Sequence, residues 1–208
     1  MADKKTIYIT RHGETEFNRL GIIQGSGVDS ELNETGRLQA QLFYNHYKDT
    51  AFDKVYTSAL QRTYQSVQRF IEELRIPYEQ LPELNEIRWG DYEGKAGNPY
   101  WREEYLKMIG EWERGNLEHR VPNGENPLEL QERQRKALSH IMQQENEQTV
   151  LICMHGRALK SFLCLLTETP LEQMERFSHR NLGLYILEYG NGRYTIVKEN
   201  CANHLQSV

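Results

Sequence analysis

Short apolar runs of two kinds alternate along this chain. Thr6-Ile7-Tyr8-Ile9-Thr10 and Thr149-Val150-Leu151-Ile152-Cys153-Met154 are rich in β-branched residues and bounded by polar or glycine-containing stretches. Such runs read as strands. Strands are expected over 5–10, 53–58 and 149–154, with a short one near 78–81. Two more, near 183–189 and 193–198, flank Asn191-Gly192, a dipeptide suited to the positive φ angles of a tight hairpin. The other pattern has helical spacing. Val67, Phe70, Ile71 and Leu74 share one face of a helix from about Leu60 to Arg75, with Pro77 beyond its end. Further helices are expected from Asn33, a residue suited to N-capping, to about Lys48, and over about 126–146 and 157–167. Residues 11–32, with Gly21, Gly25 and Gly27, read as a long loop ordered by the site it lines.

Strands alternating with helices predict an α/β fold: a three-layer α/β/α sandwich with right-handed crossovers. The terminal hairpin makes the sheet mixed, though mostly parallel. No repeat or linker divides the chain, so one domain is expected over 1–208. The segment at about 95–125 breaks the alternation. Trp101, Tyr105, Met108 and Trp112 recur at i, i+4, i+7 and i+11, which is one apolar helix face, with Arg102, Glu103, Lys107, Glu111 and Arg114 opposite. This helix either packs on the body through its aromatic stripe or covers a substrate as a lid-like insertion; both can hold.

Candidate chemistry sits where strands end. Arg11-His12-Gly13-Glu14-Thr15 follows the first strand, Ser58 and Arg62 follow the second, and His155-Gly156-Arg157 follows 149–154. Ligands in open α/β sheets bind at such carboxyl ends. An arginine fork suits phosphate oxygens, a neutral imidazole can attack phosphorus, and a glycine lets backbone approach the bound group. His12 is therefore the expected nucleophile of a phosphoryl-transfer site. The stretch 79–93 offers Glu79, Glu83, Glu86, Asp91 and Glu93 as candidates for the general acid, kept protonated by burial and by the approach of a phosphate dianion, and composition alone does not choose among them; Glu86 stands ahead of a glycine-containing loop.

Taken together, the RHGET motif, TSALQRT with Arg62, NEIRWGDYEG with Glu86, the PNGE turn at 122–125 and MHG with His155 resemble the histidine phosphatase superfamily, also called phosphoglycerate mutase-like. The resemblance runs from about residue 6 to 198. It implies a phosphohistidine on His12, phosphoryl contacts from Arg11, Arg62 and His155, and Glu86 as acid and then base. It also places Gln24 and Gly25 in the substrate pocket. Asn18 and Gly156 are further candidates there, and Thr15 and Ser58 can bond phosphate or serve as turn and cap residues. Gly21-Ile22-Ile23-Gln24-Gly25 is similar to the fructose-2,6-bisphosphatase-like branch, and the α-ribazole-phosphatase-like branch is also close. The expected activity is hydrolysis of a small phosphorylated metabolite, with vanadate as a mimic of the reacting group. The alternatives are a cofactor-dependent phosphoglycerate mutase, although the chain has no Arg-Arg pair for a substrate carboxylate, and an inactive module that binds a phosphorylated partner.

Composition narrows this further. A net charge of −5 over 208 residues argues against a general nucleic-acid binder. No apolar run approaches the length of a membrane span, and the sequence reads as cytoplasmic. Cys153, Cys164 and Cys201 form no CxxC pair, so neither a disulfide framework nor a zinc ribbon is indicated. The histidines show no metal-ligand spacing, and no metal or cofactor is expected. A homodimer is one arrangement that the sequence leaves open.

Overall fold

The computed structural model describes residues 4–95 and 98–206. Six strands form one sheet in the order β3-β2-β4-β1-β5-β6, where β1 is Lys4–Arg11, β2 Lys54–Thr57, β3 Tyr78–Gln80, β4 Thr149–Met154, β5 Leu184–Gly190 and β6 Arg193–Cys201. β1, β2, β3 and β4 pair in parallel, and β5 runs antiparallel to β1 and to β6. The mixed, mostly parallel α/β sheet expected from the sequence is therefore what forms. β1 and β4 are the central pair, with Arg11 beside Met154 in register. His12 and His155 consequently leave the same edge of the sheet on adjacent strands.

The central strands are buried on both faces, so their side chains divide between two cores. Ile7, Ile9, Val150, Ile152 and Met154 face one core, and Leu151, Cys153, Leu184 and Val55 the other. Helices α2 (Glu34–Tyr47) and α3 (Gln61–Glu72) cover the second face through Phe43, Tyr44, Tyr47, Val67 and Phe70. α4 (Pro99–Glu113), α5 (Pro127–Gln143) and α6 (Gly156–Thr167) contribute to the first. Cys153 is a buried thiol, and burial pushes its pKa up.

Residues 11–32 are not all loop. Glu16–Arg19 forms one helical turn, α1, closed by a reciprocal capping box between Thr15 and Asn18. Four residues are too few to show a helical period. In 95–125, Gly97 lies outside the described residues, and α4 fills 99–113. Its buried residues are Met108, Ile109 and Trp112, while Trp101 and Tyr105 are half-buried and Tyr100 and Leu106 are exposed. The apolar stripe thus seats the carboxyl half of the helix and leaves the amino half nearer solvent. Six residues at Leu171–Arg176 form a 3₁₀ turn that packs against α4 and α6.

Candidate active site

The loop after β1 is held by close backbone packing. His12 N–H donates to the Met154 carbonyl at 3.0 Å, and Gly13 N–H to Ser66 Oγ at 2.8 Å. A β-carbon on Gly13 would come within 2.8 Å of the Gly36 carbonyl oxygen at the start of α2. Glycine is therefore a requirement of this approach.

His12 is 3% exposed, and its ring lies 5.2 Å from that of His155, centroid to centroid. Its Nδ1 is 2.7 Å from the Gly13 carbonyl oxygen. A carbonyl only accepts, so Nδ1 carries the proton and Nε2 keeps a lone pair. Burial, then Arg62 and Arg11, hold the His12 pKa well below the ordinary imidazole value. The expected neutral state follows, with desolvation ahead of the cations as its cause.

The arginines are engaged differently. Arg62 is fully buried; its Nε donates to His155 Nδ1 at 3.2 Å and its Nη1 to the Val28 carbonyl at 2.7 Å. Burial lowers its pKa to about 10. Arg11 donates through Nη1 to His179 Nδ1 at 3.3 Å, and its buried Nε has no partner among the described residues. Since Arg62 donates to His155 Nδ1, the proton of His155 sits on Nε2 and points to Ser58 Oγ at 2.8 Å. Burial and Arg62 keep His155 neutral as well.

Glu86 lies against the amino end of α6. Oε2 accepts from Arg157 N–H at 3.0 Å, and Oε1 from Ala158 N–H at 2.8 Å and Ile87 N–H at 3.0 Å. The loop that carries it is clamped from α5. Arg133 donates to the carbonyls of Glu83, Asn85 and Glu86 and to the Glu125 carboxylate. The PNGE turn thus supplies, in Glu125, the counter-charge for the arginine that fixes the Glu86 loop.

A cavity of about 420 Å³ joins these groups. Arg11, His12, Asn18, Gln24, Arg62, Glu86 and Gly156 line it, and Trp89, Trp101, Arg102 and Tyr105 form part of its outer wall. Four candidates stand back from it. Thr15 caps α1 and accepts from Gln24 Nε2 at 2.8 Å. The Ser58 hydroxyl holds the start of α3 through Leu60 N–H and bonds His155. Gly25 accepts from Arg62, and a β-carbon there would collide with Glu93. His155 spends both ring nitrogens on Arg62 and Ser58. These four brace the residues that face the cavity. Asn18 lines it with Oδ1 already bonded to Thr15 N–H and Asn181, which leaves its amide N–H₂ for a ligand.

Arg157, which lines the cavity, is buried, pairs with Glu175 and Tyr105, and so ties α6 to α4 and to the 3₁₀ turn. His179, Asn181 and Arg133 are site supports that sequence reasoning did not find. None lies in a motif or at a telling spacing.

The model of the histidine phosphatase superfamily (branch 1) matches residues 7–202. The chain belongs to that superfamily. It is 31% identical over 201 residues to the uncharacterized phosphatase PhoE of Bacillus subtilis (strain 168), covering 96% of each chain. It is also 31% identical over 180 residues to the probable phosphoglycerate mutase GpmB of Serratia proteamaculans (strain 568), covering 86% of this chain and 82% of that one. A phosphoserine phosphatase of Entamoeba histolytica, solved with 3-phosphoglyceric acid, superposes with a TM-score of 0.82 at 25% identity, covering 97% of this chain and 99% of that one. This histidine phosphatase is thus an α/β enzyme whose relatives include proteins with phosphatase names. Among its described residues no helix is long and apolar enough to cross a membrane. None of its His, Cys, Asp and Glu side chains gather in a group of three or more able to hold a metal ion, again among the described residues.

Proposed function

We propose that this histidine phosphatase hydrolyses a small phosphorylated metabolite through a phosphohistidine on His12, without a metal. The observation that carries this reading is the tautomer of His12. With Nδ1–H on the Gly13 carbonyl, the Nε2 lone pair remains for in-line attack on phosphorus. Arg11, Arg62 and the Asn18 amide line the space where equatorial phosphoryl oxygens would lie, and they stabilise the charge of the transition state. The phosphorus–leaving-oxygen bond breaks as the Nε2–phosphorus bond forms. Glu86 hands its proton to the leaving oxygen, then takes one from the water that attacks the phosphohistidine.

Hydrolysis is favoured over mutase transfer by the outer wall. A mutase needs cations for the substrate carboxylate and exclusion of water. Arg157, which lines the cavity, shares the Glu175 carboxylate with Lys160, and Arg102 stands in the outer wall without an adjacent arginine. Inhibition by vanadate, a cytoplasmic location and, as an assembly, a homodimer complete the reading.

The test is trapping with ³²P-labelled substrate and a quench that avoids acid. Label is expected on His12, stable to base, and lost together with turnover in His12→Ala. Label on another residue would overturn the mechanism. Formation of 2-phosphoglycerate from 3-phosphoglycerate faster than phosphate release from any ester tested would replace hydrolysis by mutase transfer.

A further inference from the structure

His179 reaches the cavity on the segment between the 3₁₀ turn and β5. That segment is pinned to the site just after His179. Leu182 N–H donates to the Arg11 carbonyl at 2.9 Å, and Asn181 Nδ2 donates to the His12 carbonyl at 3.0 Å and to Asn18 Oδ1 at 3.1 Å. The imidazole lies against Gly156, where an added β-carbon would come within 2.8 Å of Cε1 and 3.0 Å of Nε2. Among the described residues its hydrogen bond is to Arg11, Nη1 to Nδ1 at 3.3 Å. A guanidinium only donates, so Nδ1 accepts and the proton of His179 is on Nε2. Among the described residues no other side chain accepts from Arg11, whose Nε is buried without a partner.

An arginine facing a phosphate needs a fixed orientation, and a carboxylate is its usual partner. A carboxylate here would cancel part of the charge that attracts the dianion. A neutral imidazole supplies direction without that loss. We propose that His179 is a positioning residue of the phosphoryl site: its Nδ1 sets the rotation of the Arg11 guanidinium, so that the Nη N–H groups that His179 leaves free meet the phosphoryl oxygens at full positive charge. Burial, with Arg11, Lys160 and Arg157 facing the ring, holds its pKa down at about 3, so this neutral state persists at any working pH. The proposal rests on reading the His12 cavity as the phosphoryl site.

Three variants separate the alternatives. His179→Asn places an amide oxygen near the position of Nδ1. His179→Gln carries its polar atoms out to the distance of Nε2 and leaves none at Nδ1. His179→Asp restores an acceptor but adds a negative charge. The inhibition constant of inorganic phosphate and kcat/KM for p-nitrophenyl phosphate are measured for each, beside thermal midpoints. The Asn variant is expected to stay within about threefold of wild type, and the Gln variant to bind phosphate about tenfold more weakly, the effect of one charge-assisted hydrogen bond. The Asp variant is expected to be weaker than the Gln variant despite its acceptor. If the Gln variant does not fold, His179→Ala, which removes the acceptor outright, takes its place. Equal losses in Asn and Gln, normal binding in Gln with loss in Asn, or wild-type binding in Asp would each overturn the proposal. A wild-type enzyme that neither hydrolyses esters nor binds phosphate would instead sink the active-site reading beneath it.

Discussion

The hydrogen bonds of Glu86 give its substitution a double signature. Both carboxylate oxygens accept from backbone N–H groups, so Glu86→Gln turns an amide N–H₂ toward a donor and forfeits at least one bond. Stability is expected to fall by about 1–2 kcal/mol in urea unfolding. Turnover is expected to fall far more for alkyl phosphates than for p-nitrophenyl phosphate, whose leaving group needs little protonation. Equal losses on the two esters would remove Glu86 from the acid's role. Residues of this kind were legible because they stand inside motifs. Arg133 was not: nothing in Gln131-Glu132-Arg133-Gln134 distinguishes it from a surface arginine, yet its guanidinium holds three carbonyls of the Glu86 loop. Thr15 and Ser58 were legible as hydroxyls near the site, but whether a hydroxyl faces ligand or scaffold depends on the donors around it.

At the scale of elements, α4 shows what periodicity can and cannot say. The spacing of Trp101, Tyr105, Met108 and Trp112 identified a helix with one apolar face. It could not say that only the carboxyl half is seated, because that depends on Trp89, which stacks on Trp112 at 5.6 Å, and on Arg157 and Glu175 from elsewhere in the chain. Trp112→Ala is therefore expected to cost about 3–5 kcal/mol, measured by urea unfolding. Leu106→Ser, at an exposed position of the same helix, is expected to cost less than about 0.5 kcal/mol. Comparable losses would mean that both halves are packed alike. Helix ends were the least legible feature. α3 stops at Glu72 rather than near Arg75, and Arg75 itself takes a positive φ of 57°.

For the molecule as a whole, the buried imidazoles couple stability to pH. His12 and His155 are held neutral far below their ordinary value of 6.5, and His179 down to about 3. In the unfolded chain each takes a proton as pH falls through about 6.5, so the unfolded state binds more protons in acid. Stability is therefore little affected well above that pH and declines as pH falls through it, approaching about 1.4 kcal/mol per pH unit for each group. Urea unfolding at pH 7.5, 6.5 and 5.5 should show a small fall of about 1 kcal/mol between the first two and a steeper one toward the third. A level profile through pH 5.5 would mean that these rings are not kept neutral.

β1 lies between β4 and β5, so the first strand of the chain is flanked by two of the last. Thr10 pairs with Cys153 on one side and Leu184 on the other. During synthesis at about 5–20 residues per second, His12 leaves the ribosome roughly 10–30 s before the strand that brings in Asn181 and His179. Until then the nascent chain carries the His12 imidazole without the buried surroundings that hold it neutral. The enzyme acquires its chemistry only when the sheet closes around its own beginning.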